Sequence, residues 1–211
     1  ADMTDRAVEA IGSCAKVMPQ VHLPLQSASN AVLERMKRIY SIEQYEALVA
    51  KLRAAVPDLA LTTDVIVGFP GETEADFEAT RAAMRRIRYD GAFLFKYSPR
   101  PGAKSAAWED DVPDAEKTRR ITVLIEEQKE MSLERNTETI GTEVEVLVEG
   151  PSRKSADHWF GKTRQFKTAV FRRGEEQVGD TLRMRVAAVS PYTLFGDGVS
   201  SAVRVSDDAA V

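Results

Sequence analysis

The sequence predicts an α/β unit built on a parallel sheet, followed by a small all-β barrel. Three observations predict it. Between residues 20 and 98, extended apolar runs alternate with helical ones, and the crossovers are long enough for parallel pairing. The run LALTTDVIVGF, residues 59–69, is nearly continuous in apolar and β-branched residues, as a buried parallel strand should be. From Glu143 onward the helical period disappears, and EVEVLVEG, HWFGKTRQFKTAVF and DTLRMRVAAVSPYTLFGD read as short strands joined by turns.

Residues 4–16 read as a short helix and 20–26 as the first strand, although Pro24 counts against a fully paired central strand. Asn30 to Met36 is a short helix. SIEQ, from Ser41 to Gln44, is a capping box, and Tyr45, Leu48, Val49 and Leu52 behind it recur at helical spacing until Pro57. After the strand 59–69, Thr73 caps a helix with Asp76 three residues on, running to about Arg88. GAFLFKYS, 91–98, is the third strand and SPRPGAKS a loop. Asp111 and Pro113 open a long charged helix reaching about Thr137. The change of character sets two domains, 1–136 and 137–205.

Composition bounds the function. The 211 residues carry a net charge of −4, so any basic surface is local. No stretch approaches the ~18–20 apolar residues of a membrane span, and the N-terminus lacks the basic and apolar regions of a signal peptide. A lone cysteine, Cys14, excludes an internal disulfide and a cysteine-only metal site, and is expected as a small buried residue at a helix end. These features suit a cytoplasmic protein.

Ligands of parallel α/β folds bind at the C-terminal ends of the strands. Those ends here are Leu-Gln-Ser-Ala-Ser, Gly68-Phe-Pro-Gly-Glu-Thr and Tyr97-Ser-Pro-Arg-Pro-Gly, all polar or backbone-rich. Along the second strand Leu61, Val65 and Val67 share one face, and Thr62, Asp64, Ile66 and Gly68 share the other. On the first, His22 and Gln26 oppose Val21, Leu23 and Leu25. Either the polar face lines a cavity for a polar ligand, or Asp64 caps a loop and His22 is a satisfied core histidine. GFPGET permits positive φ at its glycines and leaves the N–H groups of the next helix for an anion or polar ligand, but it is neither a Walker A nor a dinucleotide fingerprint. In the second domain, window 151–173 holds Arg153, Lys154, Lys162, Arg164, Lys167, Arg172 and Arg173 against one acid, Asp157, with Trp159, Phe160, Phe166 and Phe171 interleaved. Cations contact phosphates and aromatics stack on unpaired bases, unless the aromatics lie in the barrel core.

HLPLQS, ERMKRIYS, TDVIVGFPGET, FKYSPRPG and VLVEGPS, in that order, resemble the methylthiotransferase family of radical S-adenosylmethionine (SAM) enzymes, from about Val21 to Gly196. HLPLQS with FKYSPRPG resembles its tRNA-modifying branch more than the branch acting on a ribosomal protein. The resemblance implies a partial (β/α)6 barrel followed by the small OB-like β-barrel called TRAM. It implies that His22, Gln26 and Ser27 lie where SAM binds, that Arg38 pairs with the SAM carboxylate and that Asp64 accepts from ribose hydroxyls. Arg100 would meet substrate, and Arg153, Lys154, Lys162, Arg164 and Lys167 would grip a tRNA anticodon stem-loop. The implied activity adds a methylthio group to C2 of an N6-prenylated adenosine, using one SAM as radical source, a second as methyl donor, [4Fe–4S] clusters and an electron donor. The family's C-x3-C-x2-C cluster ligands and its N-terminal domain are absent, so the chain is expected to be a C-terminal half, inactive alone, with no metal site or catalytic group of its own. Ala28 and Ile39 stand where glycine-type residues are common in the family. The alternative from another class is a non-catalytic RNA-binding module.

Overall fold

The computed structural model describes residues 3–198; residues 199–205, the end of the expected second domain, lie outside them. The chain divides into two compact units inside a long helix, between Met131 and Ser132, with Met18–Gln20 grouped with the second.

The first unit is a three-stranded sheet of order β1-β2-β3, with β1 Gln20–His22, β2 Ala60–Val67 and β3 Gly91–Lys96. Its helices are α1 Asp5–Ser13, α2 Asn30–Arg35, α3 Ile42–Ala55, α4 Glu74–Ile87 and the first part of α5 Asp114–Thr137. Both local start signals act as expected. Ser41 and Gln44 form a reciprocal capping box on α3, and Thr73 and Asp76 form one on α4. Leu52, Leu61, Val65, Phe77, Met84, Tyr89 and Leu124 are fully buried in one cluster. The β2–β3 pairing is parallel, placing Asp64 beside Phe93 and Ile66 beside Phe95.

The first strand is shorter than its sequence pattern. The strand ends at His22, Leu23 N still donates to Thr62 O at 2.8 Å, and beyond it the pairing lapses and resumes only as a single parallel bridge between Gln26 and Val65. The Thr63 side chain intervenes there: its hydroxyl accepts from Leu25 N at 2.8 Å, so that Gln26, one residue later, takes up the bond to Asp64 O. The carbonyls of this segment are taken by hydroxyls: Tyr45 and Thr63 donate to Leu23 O at 2.7 and 2.8 Å, and Tyr40 donates to both Pro24 O and Leu25 O at 3.1 Å. Burial pushes the Tyr45 phenol up to about 12, so it stays a donor at any physiological pH. The loop after β3 also holds an unforeseen 3-10 turn, Lys104–Ala107. Cys14 is exposed rather than buried; α1 turns only Val8 into the core and Cys14 lies past its end.

The second unit is a closed barrel of order β4-β5-β6-β8-β7, with β4 Glu143–Pro151, β5 His158–Thr163, β6 Thr168–Arg172, β7 Thr181–Val189 and β8 Thr193–Gly198. All pairings are antiparallel except β6–β8. Alternate residues fill the interior: Val146, Val148, Trp159, Phe171, Leu182, Met184, Val186 and Leu194. Gly161 and Gly196 allow the close approach of neighbouring strands, because a Cβ at either would strike the carbonyl oxygen of Leu147 or Arg185.

Candidate functional site

The polar face read from β2 exists. Thr62, Asp64 and Ile66 are half-buried while Thr63, Val65 and Val67 are buried. His22 stands over this face. Its Nδ1 lies 3.0 Å from Thr62 Oγ1, its Nε2 lies 3.4 Å from Asp64 Oδ1, and its ring meets Phe93 edge-on at 5.9 Å. Phe93 and Phe95 complete the face and are 61% and 47% exposed. A carboxylate, an imidazole and two open aromatic rings thus share one side of the sheet, while the helices take the other.

Gln26 is buried in the left-handed conformation at φ +65°, which costs a non-glycine residue about 1–2 kcal/mol. Its main chain bridges β2, donating to Asp64 O at 2.8 Å and accepting from Ile66 N at 2.9 Å. Its carboxamide has no hydrogen bond among the described residues. Ser27 differs: it is wholly buried, its hydroxyl is 3.3 Å from Thr80 Oγ1, and it accepts from Ser29 N at 3.2 Å. That hydroxyl serves the packing of α4 and does not face the polar surface.

At the C-terminal end of β2, Arg38, Ile66, Phe69, Lys104 and Trp108 line a pocket of about 300 Å³. A neighbouring hollow of about 380 Å³ lies among Glu34, Arg35, Lys37 and Trp108. Arg35 stacks over Trp108 at 5.5 Å, and Phe69 meets Tyr97 and Trp108 edge-on at 5.1 and 5.9 Å. Lys37 is left-handed at φ +59°, which turns the chain so that Arg38 reaches the pocket. Lys37, Arg38 and Lys104 pair with no acid among the described residues. The cations of α4, β3 and α5 behave differently. Arg81 and Arg85 meet Glu127, Lys96 meets Asp114, Lys117 meets Asp110, Arg119 meets Glu74 and Glu116, and Arg120 meets Glu72. Arg100 sits exposed on the loop after β3. Sequence reasoning singled out Arg38 and Arg100 but missed Lys37, Lys104 and Trp108; a tryptophan four residues after a lysine in a loop was the available signal.

The GFPGET loop departs from expectation. Gly68 and Gly71 do adopt φ +70° and +78°, but their N–H groups are already used. Gly68 donates to Glu72 Oε2 at 2.5 Å and Gly71 to Asp111 Oδ1 at 2.7 Å. The start of α4 is closed by its own capping box. Instead of offering donors to an anion, the loop is clamped from inside by carboxylates. Glu72 is buried and paired with Arg120 at 2.7 Å. Burial pushes its carboxyl above the ordinary value, and Gly68 N–H and Arg120 pull it back.

In the barrel the basic, aromatic window splits. Trp159 and Phe171 point inward, and Phe166 lies outside, 58% exposed. Lys162 lies over the Phe166 ring at 4.8 Å and donates to Thr168 Oγ1 at 2.9 Å. Arg164 is 3.6 Å from Glu145, and Lys167 donates to Asn136 Oδ1 at 2.8 Å. Arg153 and Lys154, by contrast, line a groove of about 490 Å³ with His158, Phe160, Val170 and Phe195. His158 and Phe195 were not singled out by sequence.

Comparison with known proteins decides the family. Residues 2–84 match the Radical SAM superfamily, and residues 137–199 match the TRAM domain. The chain belongs to the radical SAM superfamily and carries a TRAM domain. It is 44% identical over 198 residues to a tRNA-2-methylthio-N(6)-dimethylallyladenosine synthase of Moorella thermoacetica, covering 94% of this chain and 45% of the relative. It is 43% identical over 195 residues to the synthase of Carboxydothermus hydrogenoformans, covering 92% and 44%. For a Clostridium botulinum synthase the figures are 39% over 198 residues, 94% and 44%. The chain therefore spans a little under half the length of these relatives. Among solved structures, coproporphyrinogen III oxidase of Escherichia coli, a radical SAM enzyme, superposes with a TM-score of 0.45 at 13% identity, covering 69% of this chain and 41% of that one.

The radical SAM assignment implies SAM and a [4Fe–4S] cluster, and the two fit this chain differently. A cluster needs several cysteine thiolates. Cys14 is the only cysteine, and no group of three or more His, Cys, Asp or Glu placed to hold a metal occurs among the described residues. The residues present do not fit the cluster. SAM finds suitable groups: an unpartnered carboxamide at Gln26, a half-exposed carboxylate at Asp64, and a guanidinium without an acid partner at Arg38, whose pocket includes Ile66 from the same face as Asp64. Among the described residues no helix is long and apolar enough to cross a membrane.

Proposed function

We propose that this chain supplies the SAM- and RNA-gripping part of a tRNA methylthiotransferase. The enzyme adds a methylthio group to C2 of an N6-prenylated adenosine beside the anticodon, and works in the cytoplasm with an electron donor. The observation that carries the reading is the set of acid-free cations, Lys37, Arg38 and Lys104, around an aromatic pocket at the strand ends, in a unit where the cations of α4, β3 and α5 named above are paired. Such a pocket suits a polyanion with flat rings. The relatives' names specify which polyanion.

When bound, SAM would supply the methyl group and, with a cluster whose ligands are not among these 211 residues, the radical. This chain's residues do the holding. The Arg38 fork suits the SAM carboxylate. The carboxylate of Asp64 accepts from a ribose diol, with His22 fixing its orientation. The Gln26 carboxamide serves a polar edge of the cofactor. Lys37, Lys104 and Arg100 are left for RNA phosphates, and Phe69 and Trp108 shield the pocket from water.

Equilibrium binding of SAM and of a prenylated anticodon stem-loop tests this. Arg38→Ala weakens SAM binding about tenfold or more, the scale of losing charge-assisted hydrogen bonds. Asp64→Asn weakens it less. No SAM binding by the wild-type chain, or binding indifferent to both changes, would leave the RNA-binding module as the better account. The stem-loop binds more tightly prenylated than unmodified; no preference would point to another modified adenosine or to a ribosomal protein. Formation of 5′-deoxyadenosine by the purified chain would overturn the assignment of cluster chemistry to another segment.

A further inference from the structure

The outer wall of the TRAM barrel carries a groove that two of the five basic candidates, Arg153 and Lys154, border. Register builds its floor. Phe160 of β5 lies beside Val170 of β6, and Val170 beside Phe195 of β8, so the three form one row across three strands. The next row is Lys162, Thr168 and Thr193. The loop before β5 forms a wall with Ser152, Arg153, Lys154 and Ser155, held to the sheet by a 3.0 Å contact between Ser155 Oγ and His158 Nδ1. The volume, about 490 Å³, falls within the ~300–1,000 Å³ typical of sites for one small ligand. Its lining includes two cations, Arg153 and Lys154, and no acid.

We propose that this groove is a base pocket. It takes a single unstacked nucleobase of RNA flat against the Phe160–Val170–Phe195 row, with its phosphate on Arg153 and Lys154. The chemistry of the three parts fits one nucleotide. An apolar floor with half-exposed aromatic rings suits a π-face, and the hydroxyls of Thr168 and Thr193 with the outer nitrogen of His158 suit the polar edges of a base. Two cations on one wall suit one phosphate. An aliphatic peptide side chain would use the floor but leave both cations without a partner, which is why RNA is the occupant inferred. The proposal rests on the reading that the chain acts on RNA, and deepens it by separating where bases bind from where the backbone does.

The test uses the 211-residue chain and two fluorescent probes: an unstructured eight-nucleotide RNA, and the same backbone with all bases removed. The wild type binds the intact oligomer at least fivefold more tightly than the abasic one, because stacking on an aromatic ring is worth about 1–3 kcal/mol per base. Phe195→Ala abolishes that preference without changing abasic binding, and Arg153→Glu with Lys154→Glu weakens both probes. Phe195 is 39% exposed, so its truncation spares the core; photo-crosslinking of a 4-thiouridine oligomer to β8 in the wild type gives a readout free of any variant. Equal binding of the two probes, or crosslinks that avoid β5, β6 and β8, overturns the base pocket and leaves RNA binding intact. Failure to bind either probe overturns both. Displacement of neither probe by a leucine-rich peptide is expected, and full displacement would make the groove a protein-docking site instead.

Discussion

The five-stranded barrel and the three-stranded sheet solve the same problem in opposite ways. In the barrel every strand has two neighbours, and its interior is filled by its own alternating side chains. No edge is left to satisfy. The sheet has two edges, and only one of its faces is covered: Phe93 and Phe95 stand open on the other, with His22 and Asp64. The difference separates the packed faces, which hold each unit together, from the faces left open to a ligand. The sheet leaves its polar face available and draws its order from the helix side, through buried core and ion pairs. The barrel closes its inside and can offer ligands only its outer wall.

The largest effect follows from the helix side of the sheet. Arg120→Met removes the guanidinium from Glu72, which is buried with a side chain 1% exposed. Breaking a buried pair costs about 3–5 kcal/mol. The loss is pH-dependent. Without Arg120, burial holds the Glu72 carboxyl above its ordinary range even more strongly. A folded-state pKa above the unfolded value means that the folded chain binds the proton more tightly. The variant therefore regains stability as pH falls through the folded pKa toward about 4, the unfolded glutamate value. Urea unfolding at pH 7 and pH 4.5 measures both. A pH-independent loss would show that Arg120 acts only through its packing on Phe77, over whose ring it lies at 5.5 Å.

The barrel should break by a different route. Gly196→Ala places a Cβ against the carbonyl oxygen of Arg185, and backbone cannot yield as a flexible side chain can. Overpacking of this kind costs about 1–3 kcal/mol. Thermal unfolding of the barrel should shift to lower temperature while SAM binding, proposed for the sheet, stays constant. Coupled losses would show that the two units do not carry their functions separately.

What was legible in sequence follows the same division between local and tertiary causes. The capping boxes at Ser41–Gln44 and Thr73–Asp76 were readable because both partners lie within four residues. The parity of β2 was readable because period two needs no partner strand. The lapse in β1 was only half readable: Pro24 counts against a fully paired strand, but the Thr63 hydroxyl that intervenes and those of Tyr40 and Tyr45 that take the carbonyls come from another part of the chain. The clamped GFPGET loop was not readable, since Asp111 lies 40 residues from Gly71. The resemblance named Arg38 and Asp64 but gave no sign that Ser27 turns inward. In the barrel, composition found the basic window without sorting it. Arg164 and Lys167 have partners within their own unit, whereas Arg153 and Lys154 border a groove whose floor needs the β6–β8 pairing to be known.

The smallest expected change in stability is also the one that sharpens the comparison most. Gln26 holds a left-handed conformation that glycine adopts freely. Gln26→Gly releases about 1–2 kcal/mol of backbone strain, but loses the side chain's burial and adds about 0.5–1 kcal/mol of unfolded-state entropy. The terms offset, so the net change should stay within about 1 kcal/mol. If Gln26 is kept for its place in the fold, the variant binds SAM as the wild type does. If the strain is kept because the carboxamide meets the cofactor, SAM binding falls severalfold with the melting temperature unmoved. The second outcome is expected, because the carboxamide has no hydrogen bond among the described residues, and backbone strain at a non-glycine residue persists where a site needs its side chain.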